Sequence, residues 1–402
     1  MTISYSGNFC RLLVRWKGSI WKACWLELTY FLALYYIMRL IYNFVLPFFD
    51  PDEALRYRRT FEQLSLMFDA YVKEIPLTFL LGFYISTIVT RWWTQFENVA
   101  WPDDLLSLLC VLMPGTDKKS RLRRHTIARY LNLTSALAWR DVSSKLRRRF
   151  PTIQHLVSSG LMTEEEHKLY ESFETESVRW FVPLHWVQKI LVDEINDSKP
   201  LPSLVSQFTQ DLKMYRLCFR KLYCYDWVCV PLVYTQVAAL ATYGYFAFCL
   251  MGRQFLDPAK KYKHFEVDFV VPIFTIVQFL FFVGWFKVGQ DLMRPFGTDD
   301  DDIELNYIFD RNMQSSFAIV NAVEMQSPSL SEDNFWAYQD RLVPPLPHTK
   351  MSAKLTQHPP KLHSYVVINK PEDCAVAEPS DDDEPHRVKR EKREKRKRFI
   401  HW

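Results

Sequence analysis

Residues 227 to 252, WVCVPLVYTQVAALATYGYFAFCLMG, run without a single Asp, Glu, Lys or Arg. About 20 apolar residues suffice to cross the hydrocarbon core of a bilayer, and a crossing segment must pair all its backbone polar groups internally, which leaves helices or closed barrels. Residues 269 to 286, FVVPIFTIVQFLFFVGWF, form a second charge-free run between Asp268 and Lys287. Residues 25 to 49 are also apolar but carry Glu27 and Arg39, and charges inside a span face protein or water rather than lipid. Residues 75 to 90, IPLTFLLGFYISTIVT, reach spanning length only if the helix extends back through LSLMFDAYV. Thirteen Trp against ten Gly suit packed helices with aromatic interface belts better than sheets with tight turns. The expectation is an all-α membrane protein with four spans.

Charge sets the orientation. Arg11, Arg15, Lys17 and Lys22 precede the first acid, Glu27, whereas the segment 50 to 62 mixes three Arg with four acids. Positive flanks stay inside, so the N-terminus is cytosolic, and an even number of spans returns the C-terminus to the same side. The segment between the second and third spans is then cytosolic too, and eleven Lys or Arg against one Asp in residues 118 to 149 agree. The glycan acceptor patterns at Asn132 and Asn196 would never meet the glycosylation machinery. No signal peptide is visible, and eight scattered cysteines without a C-x-x-C pair read as free thiols.

The chain divides into a cytosolic N-terminal segment (1–24), two spans (25–90), a helical cytosolic region (91–226), two spans (227–290), an acidic segment with a following helix (291–325) and a disordered tail (326–402). In the third part, apolar residues spaced three and four apart predict a helix through RRHTIARYLNLTSALAWRDVSSKLRRRF. Thr163 to Glu166 carry a capping-box signature, and a second amphipathic helix runs from about Ser203 to Tyr223. The tail ends in HRVKREKREKRKR, nine Lys or Arg against two Glu, which accounts for the chain's net positive charge. No face for nucleic acid is implied for the folded part.

No nucleophile elbow, phosphate loop, dinucleotide fingerprint or zinc-protease motif appears, and an enzyme is not expected. Two features invite a transport reading. Ile75, Phe79 and Phe83 recur every four residues and form one narrow stripe on a helix; the stripe either packs against lipid and neighbouring helices or, with copies of the chain around an axis, rings an apolar pore that gates by dewetting. Asp299, Asp300, Asp301 and Asp302 follow the last span. Counted from Asp299, Glu304 and Asp310 stand where an EF-hand needs Gly and Glu, so the run is no EF-hand. Negative charge at a helix N-terminus and a calcium site completed by other oxygens both remain open.

Particular words carry more than periodicity. Arg149, Phe150 and Pro151, the stretch IPLTFLLGFYISTIVTRWW (75 to 93), YDWVCVPLVYTQV (225 to 237), GRQFLDPAKKY (252 to 262) and VGWFKVGQDLMRPFGTDDDDIELNYIFDRN (283 to 312) together resemble the bestrophin family of anion channels, in order, over about residues 9 to 320. The resemblance implies a homopentameric, calcium-activated channel for chloride and other small anions, multi-pass in the cell membrane among its lipids, with four spans per chain around one central pore. It implies a neck gate at Ile75, Phe79 and Phe83 and a cytosolic aperture at Ser203. It also implies a calcium clasp with side-chain ligands Asp299 and Asp302 and backbone carbonyls at Asp291 and Arg294. Helix N-termini and phenyl edges would favour anions there without basic rings. Three departures stand out: a hydroxyl at Ser203 in place of a bulky aliphatic residue, a cation at Arg294, and a short N-terminus before Phe9 that lacks a clear counterpart for one more clasp carbonyl. The rival from another class is a membrane scaffold whose basic tail binds lipid or a partner.

Overall fold

The computed structural model describes residues 12–325 apart from 176, 258, 259, 261 and 263–269, with short stretches between 328 and 349. All regular structure among the described residues is helical. Ser19 starts the first span by accepting the Lys22 N–H at 3.4 Å, so α1 (Ile20–Leu40) begins before the apolar run and continues through a π turn (Ile41–Val45) and a 3-10 turn (Leu46–Phe48). Proline at N1 then opens α2 (Pro51–Glu74).

The backward extension expected for the second span is a separate helix. Ile75 leaves the helical region with φ −79° and ψ 114°, and α3 (Leu77–Glu97) starts only after Pro76, bent 43° from α2. The cause is local: Pro76 has no N–H to continue the ladder, and the residue before a proline is pushed toward extended backbone. Three described helices are therefore long and apolar enough to cross a membrane, or four if this bent pair is one span. The other two are α11 (Leu232–Gly252) and α12 (Ile273–Leu292).

These helices share one apolar core. Leu81, Ile88, Val283 and Phe286 are fully buried in it, and Phe31 of α1 meets Phe279 of α12 at 5.0 Å and Phe246 of α11 at 5.7 Å. Outward, Leu34, Leu240, Phe274 and Phe281 stay exposed, as lipid-facing residues should. Closest approach falls where α11 crosses α2: a Cβ on Gly252 would lie 2.7 Å from the Asp69 nitrogen and 2.9 Å from the Phe68 carbonyl carbon. Backbone cannot yield there as a flexible side chain can. Gly252→Ala is expected to cost about 1–3 kcal/mol by overpacking, seen as a lower Tm in detergent than wild type.

A second core lies in the extramembrane helices. It is built from α4 (Asp103–Leu112), α5 (Lys118–Val142), α6 (Ser144–Arg149), α7 (Ile153–Ser158), α8 (Glu164–Glu171), α9 (Val182–Ser198), α10 (Pro202–Trp227) and α13 (Leu305–Ala322). Asp117 caps α5 by accepting the Lys119 and Ser120 N–H groups at 3.0 and 3.1 Å. Residues 130 to 139 of α5 are all buried, so this helix is the centre of the core. Asn132 in it donates to Ala128 O and Ser316 Oγ, and Ser135 shares a 2.7 Å hydrogen bond with Tyr215. Asn132 is thus a core residue and no site for a glycan.

The capping box at Thr163 is present, and its Glu166 also receives both Arg129 nitrogens at 2.6 Å. Burial opposes ionisation of Glu166, but Arg129 and Tyr130 hold its carboxyl down to about 2. Contacts divide the chain into Met1–Gln326 and Ser327–Trp402. In the second unit the described residues include a local turn in which Asp333 accepts the Phe335 and Trp336 N–H groups at 2.8 and 3.0 Å. The tail's expected disorder and its basic end fall almost wholly outside the described residues.

Candidate functional site: an apolar face and an acidic loop

α3 has two unlike faces. Leu77, Leu81, Tyr84, Ile85 and Ile88 are buried against α11 and α12. On the other face Phe79 and Phe83 remain 63% and 60% exposed, with ring centroids 4.7 Å apart in an edge-to-face pair. Ile75 sits at the break that precedes α3, half-buried against the span core. The stripe therefore begins just outside the helix that carries its other two members. Packing within the chain does not account for Phe79 and Phe83; they face either lipid or another chain. Ser203 is exposed in the first turn of α10, separated from Trp227 at the span end by about 36 Å of helix.

The acidic run forms a closed loop after α12. The Ile303 N–H donates to Pro295 O at 2.7 Å, and the Asp299 N–H donates to Asp302 Oδ2 at 2.6 Å. Asp302 is only 3% exposed, while Asp299 is exposed. Burial, reinforced by the Asp299 charge, pushes the Asp302 carboxyl up to about 6. Asp300 behaves oppositely, since Lys22 of α1 pairs with it at 2.5 Å and holds its carboxyl below the ordinary value. The helix that follows uses none of the four: Glu304 caps α13, accepting the Asn306 N–H at 3.4 Å and pairing with Lys145 at 3.1 Å. A helix start alone is therefore a poor account of the aspartates.

Asp291, Asp299 and Asp302 line one pocket of about 280 Å³, together with Lys22 and Lys287. Arg294 is absent from that lining and instead lines a separate cavity on the other side of the loop. Its carbonyl accepts the Gly297 N–H at 3.3 Å, and a Cβ on Gly297 would come within 2.8 Å of Asp302 Oδ2. A side chain at 297 would therefore press on the Asp302 carboxylate. Among the described residues, no three His, Cys, Asp or Glu side chains converge as a ready-made metal cage. What converges is a buried carboxylate short of positive charge beside a backbone turn. That set fits a hard cation completed by carbonyl oxygens and does not fit zinc or iron. The N-terminal segment around Phe9, in which no clear counterpart for a further clasp carbonyl is expected, lies outside the described residues.

Sequence reasoning missed the two lysines. Lys22 is one of the N-terminal basic residues and was read only for topology, and Lys287 was read as a span end. In the fold Lys287 sits inside α12 and pairs with Glu27 at 2.6 Å, so the intramembrane acid faces protein as its position required. A charge of each sign in neighbouring spans was the available signal.

The described fold resembles solved bestrophin structures. A single-substitution variant of a bacterial bestrophin homologue from Klebsiella pneumoniae aligns with a TM-score of 0.54 at 17% identity, covering 73% of this chain and 98% of that one. By sequence the chain is 55% identical to bestrophin homolog 13 of Caenorhabditis elegans over 388 residues, 92% of this chain and 94% of that protein. It is 42% identical to human bestrophin-1 over 367 residues, 88% of this chain but only 60% of that longer protein. Residues 1–322 match the family described as "Bestrophin, RFP-TM, chloride channel". With the family model and the relatives in agreement, the chain belongs to the bestrophin family, a family of chloride channels and not of enzymes.

Proposed function

We propose that the chain forms a calcium-activated channel for chloride and other small anions in the cell membrane, with five copies around one pore and both termini in the cytosol. The observation that carries this reading is the exposed Phe79–Phe83 pair on a span whose opposite face is fully packed. Copies arranged around an axis would turn those faces inward, where Ile75, Phe79 and Phe83 make a dry neck that water and ions leave until it widens. Ser203 supplies a second ring, at which hydroxyls leave a wider and wetter opening than aliphatic side chains. Asp299 and Asp302 are the side-chain ligands for calcium, with the carbonyls of Asp291 and Arg294. Bound calcium would supply the positive charge that the buried Asp302 lacks. Arg294 is not among the residues that line the acidic pocket and lines a separate cavity instead, which favours a role through its carbonyl rather than its cation. Through Lys22, Asp300 ties the loop to α1, and so to the bundle that positions α3.

The test is flux. The purified full chain in chloride-loaded liposomes is expected to pass anions in micromolar calcium and to fall to the empty-liposome rate in chelator. Flux at no calcium level would leave the membrane-scaffold reading in its place.

A further inference from the structure

The face of α3 that carries Phe79 and Phe83 does not end with them. Eighteen residues, about five turns at 3.6 residues each, separate Phe79 from Glu97. Along the uninterrupted helix Leu77–Glu97 the last residue therefore returns to the line of Phe79, about 27 Å down the axis. Ser86 and Thr90 fall on that line between them. All five of these side chains are exposed, whereas Tyr84, Ile88 and Gln95, half a turn round, are buried. Glu97 stands at the end of α3 that leads into α4 and the extramembrane core.

Local chemistry gives this stripe a sign. Thr87 and Thr90 donate their hydroxyl protons to their own helix, to Phe83 O and Ser86 O, each at 2.9 Å, and Thr94 donates to Thr90 O at 2.8 Å. What these groups have left to offer is oxygen lone pairs, which are acceptors. The one cation on α3, Arg91, is withdrawn from the stripe: its guanidinium lies 4.9 Å over the Tyr225 ring and donates to the carbonyls of Tyr225 and Val228. Among the described residues Glu97 is in no ion pair; one turn back, Trp93 Nε1 donates to its Oε1 at 2.8 Å and holds the carboxylate along the helix. An acid in the last turn meets the negative end of the helix dipole, and no basic side chain in that turn offsets it. Helix stability therefore does not account for a carboxylate at this position.

We propose that Glu97 sets how sharply the channel separates anions from cations, an inference that rests on the channel reading because that reading places copies of this stripe around an axis. Repeated around the axis, Glu97 forms an acidic collar beyond the neck, on the side of the extramembrane helices. Rings of carboxylates draw cations in and hold anions back. The collar thus works against the preference for anions set at the neck, and the selectivity of the whole pore is the balance of the two. Removing the charge at Glu97 makes the channel more purely anionic.

The full chain in a planar bilayer under a sodium chloride gradient reports this balance as a reversal potential. Near 0.01 M salt, where the Debye length is about 30 Å, Glu97→Gln is expected to raise the chloride-to-sodium permeability ratio at least about threefold. Glu97→Asp, which keeps the charge, should stay near wild type. At about 1 M salt, with a Debye length of about 3 Å, the difference between Glu97→Gln and wild type should vanish. The side chain is exposed, so both variants should melt with wild type. A second measurement needs no current. In the purified full chain with Thr90→Cys, about 10 Å from Glu97 along the helix, the cationic trimethylammonioethyl methanethiosulfonate should react at least about tenfold faster than the anionic sulfonatoethyl reagent. Each rate is read by peptide mass spectrometry relative to the exposed Cys224 of the same chain, and adding Glu97→Gln should abolish the preference. A conducting wild type whose permeability ratio Glu97→Gln leaves unmoved at low salt overturns the collar and leaves the channel reading standing. So does a Thr90→Cys thiol that shows no cationic preference, or one that Glu97→Gln does not change. A wild type that passes no ions at any calcium level, with Thr90→Cys unreactive, overturns the channel reading and the collar together.

Discussion

Replacing Ile75, Phe79 and Phe83 together with alanine should give an anion current that persists when calcium is chelated. Phe79 and Phe83 pair edge-to-face with each other, stay largely exposed and lie outside the span core, so removing their rings widens whatever they enclose without opening a hole in the bundle. A dry constriction resists ions because they must shed water to enter it, and three alanines in place of two phenyl groups and an isoleucine take that resistance away. Each ~1.4 kcal/mol removed from the barrier is worth about tenfold in rate. Calcium-free current, at equal surface expression, is therefore expected to rise by at least about that factor. Ile75 is half-buried against the core, so part of the triple change is structural. The double variant Phe79→Ala with Phe83→Ala avoids this and should show the same direction. Full calcium dependence retained in both would remove the gate from these residues.

Asp302→Asn should separate two effects that a merely structural aspartate would move together. Asparagine keeps the shape and can still accept the Asp299 N–H, but it loses the charge. Partners that only orient a metal ligand are worth 10–100-fold in affinity, so loss of a ligating charge should raise the calcium needed for half-activation by at least about tenfold. Stability should move the other way. With the carboxyl raised from the ordinary 3.8 to about 6, the folded state binds the proton more tightly than the unfolded one. The ionised form is therefore a liability of about 3 kcal/mol at neutral pH, relieved as pH falls through 6 toward 4. In chelator at pH 7 the variant should melt higher than wild type, and calcium should raise the Tm of wild type alone. Asp301→Ala is the control, expected to shift calcium response by less than about threefold, or 0.7 kcal/mol. A variant that melts lower in chelator and keeps its calcium response would mean that Asp302 only holds the loop.

The spans α11 and α12, the capping box at Thr163 and the long helix from Pro202 were legible because each rests on a local cause: an uninterrupted apolar run, a side chain three residues from its backbone partner, a proline at a helix start. The stripe through Ile75 was legible as spacing but not as geometry, since periodicity is blind to a helix that stops at Glu74 and restarts at Leu77. At the acidic loop the residues were readable and their roles unequal. Four consecutive aspartates look alike in sequence, yet Asp302 is buried, Asp300 is neutralised by Lys22, and helix capping belongs to Glu304.

By itself the sequence determined that the chain is helical, crosses a membrane, and carries an apolar stripe and an acidic run that resemble a channel's gate and clasp. Those properties follow from hydrophobicity, local hydrogen bonding and word-level similarity, which are short-range along the chain. Tertiary structure alone decided which aspartate is buried, that Arg294 lines a cavity separate from the acidic pocket, and that Arg91 and Gln95 line that cavity with Arg147. The physical reason is that burial and charge pairing depend on what lies across space: Lys22 meets Asp300 across 278 positions of chain, and no local pattern in either segment encodes the meeting.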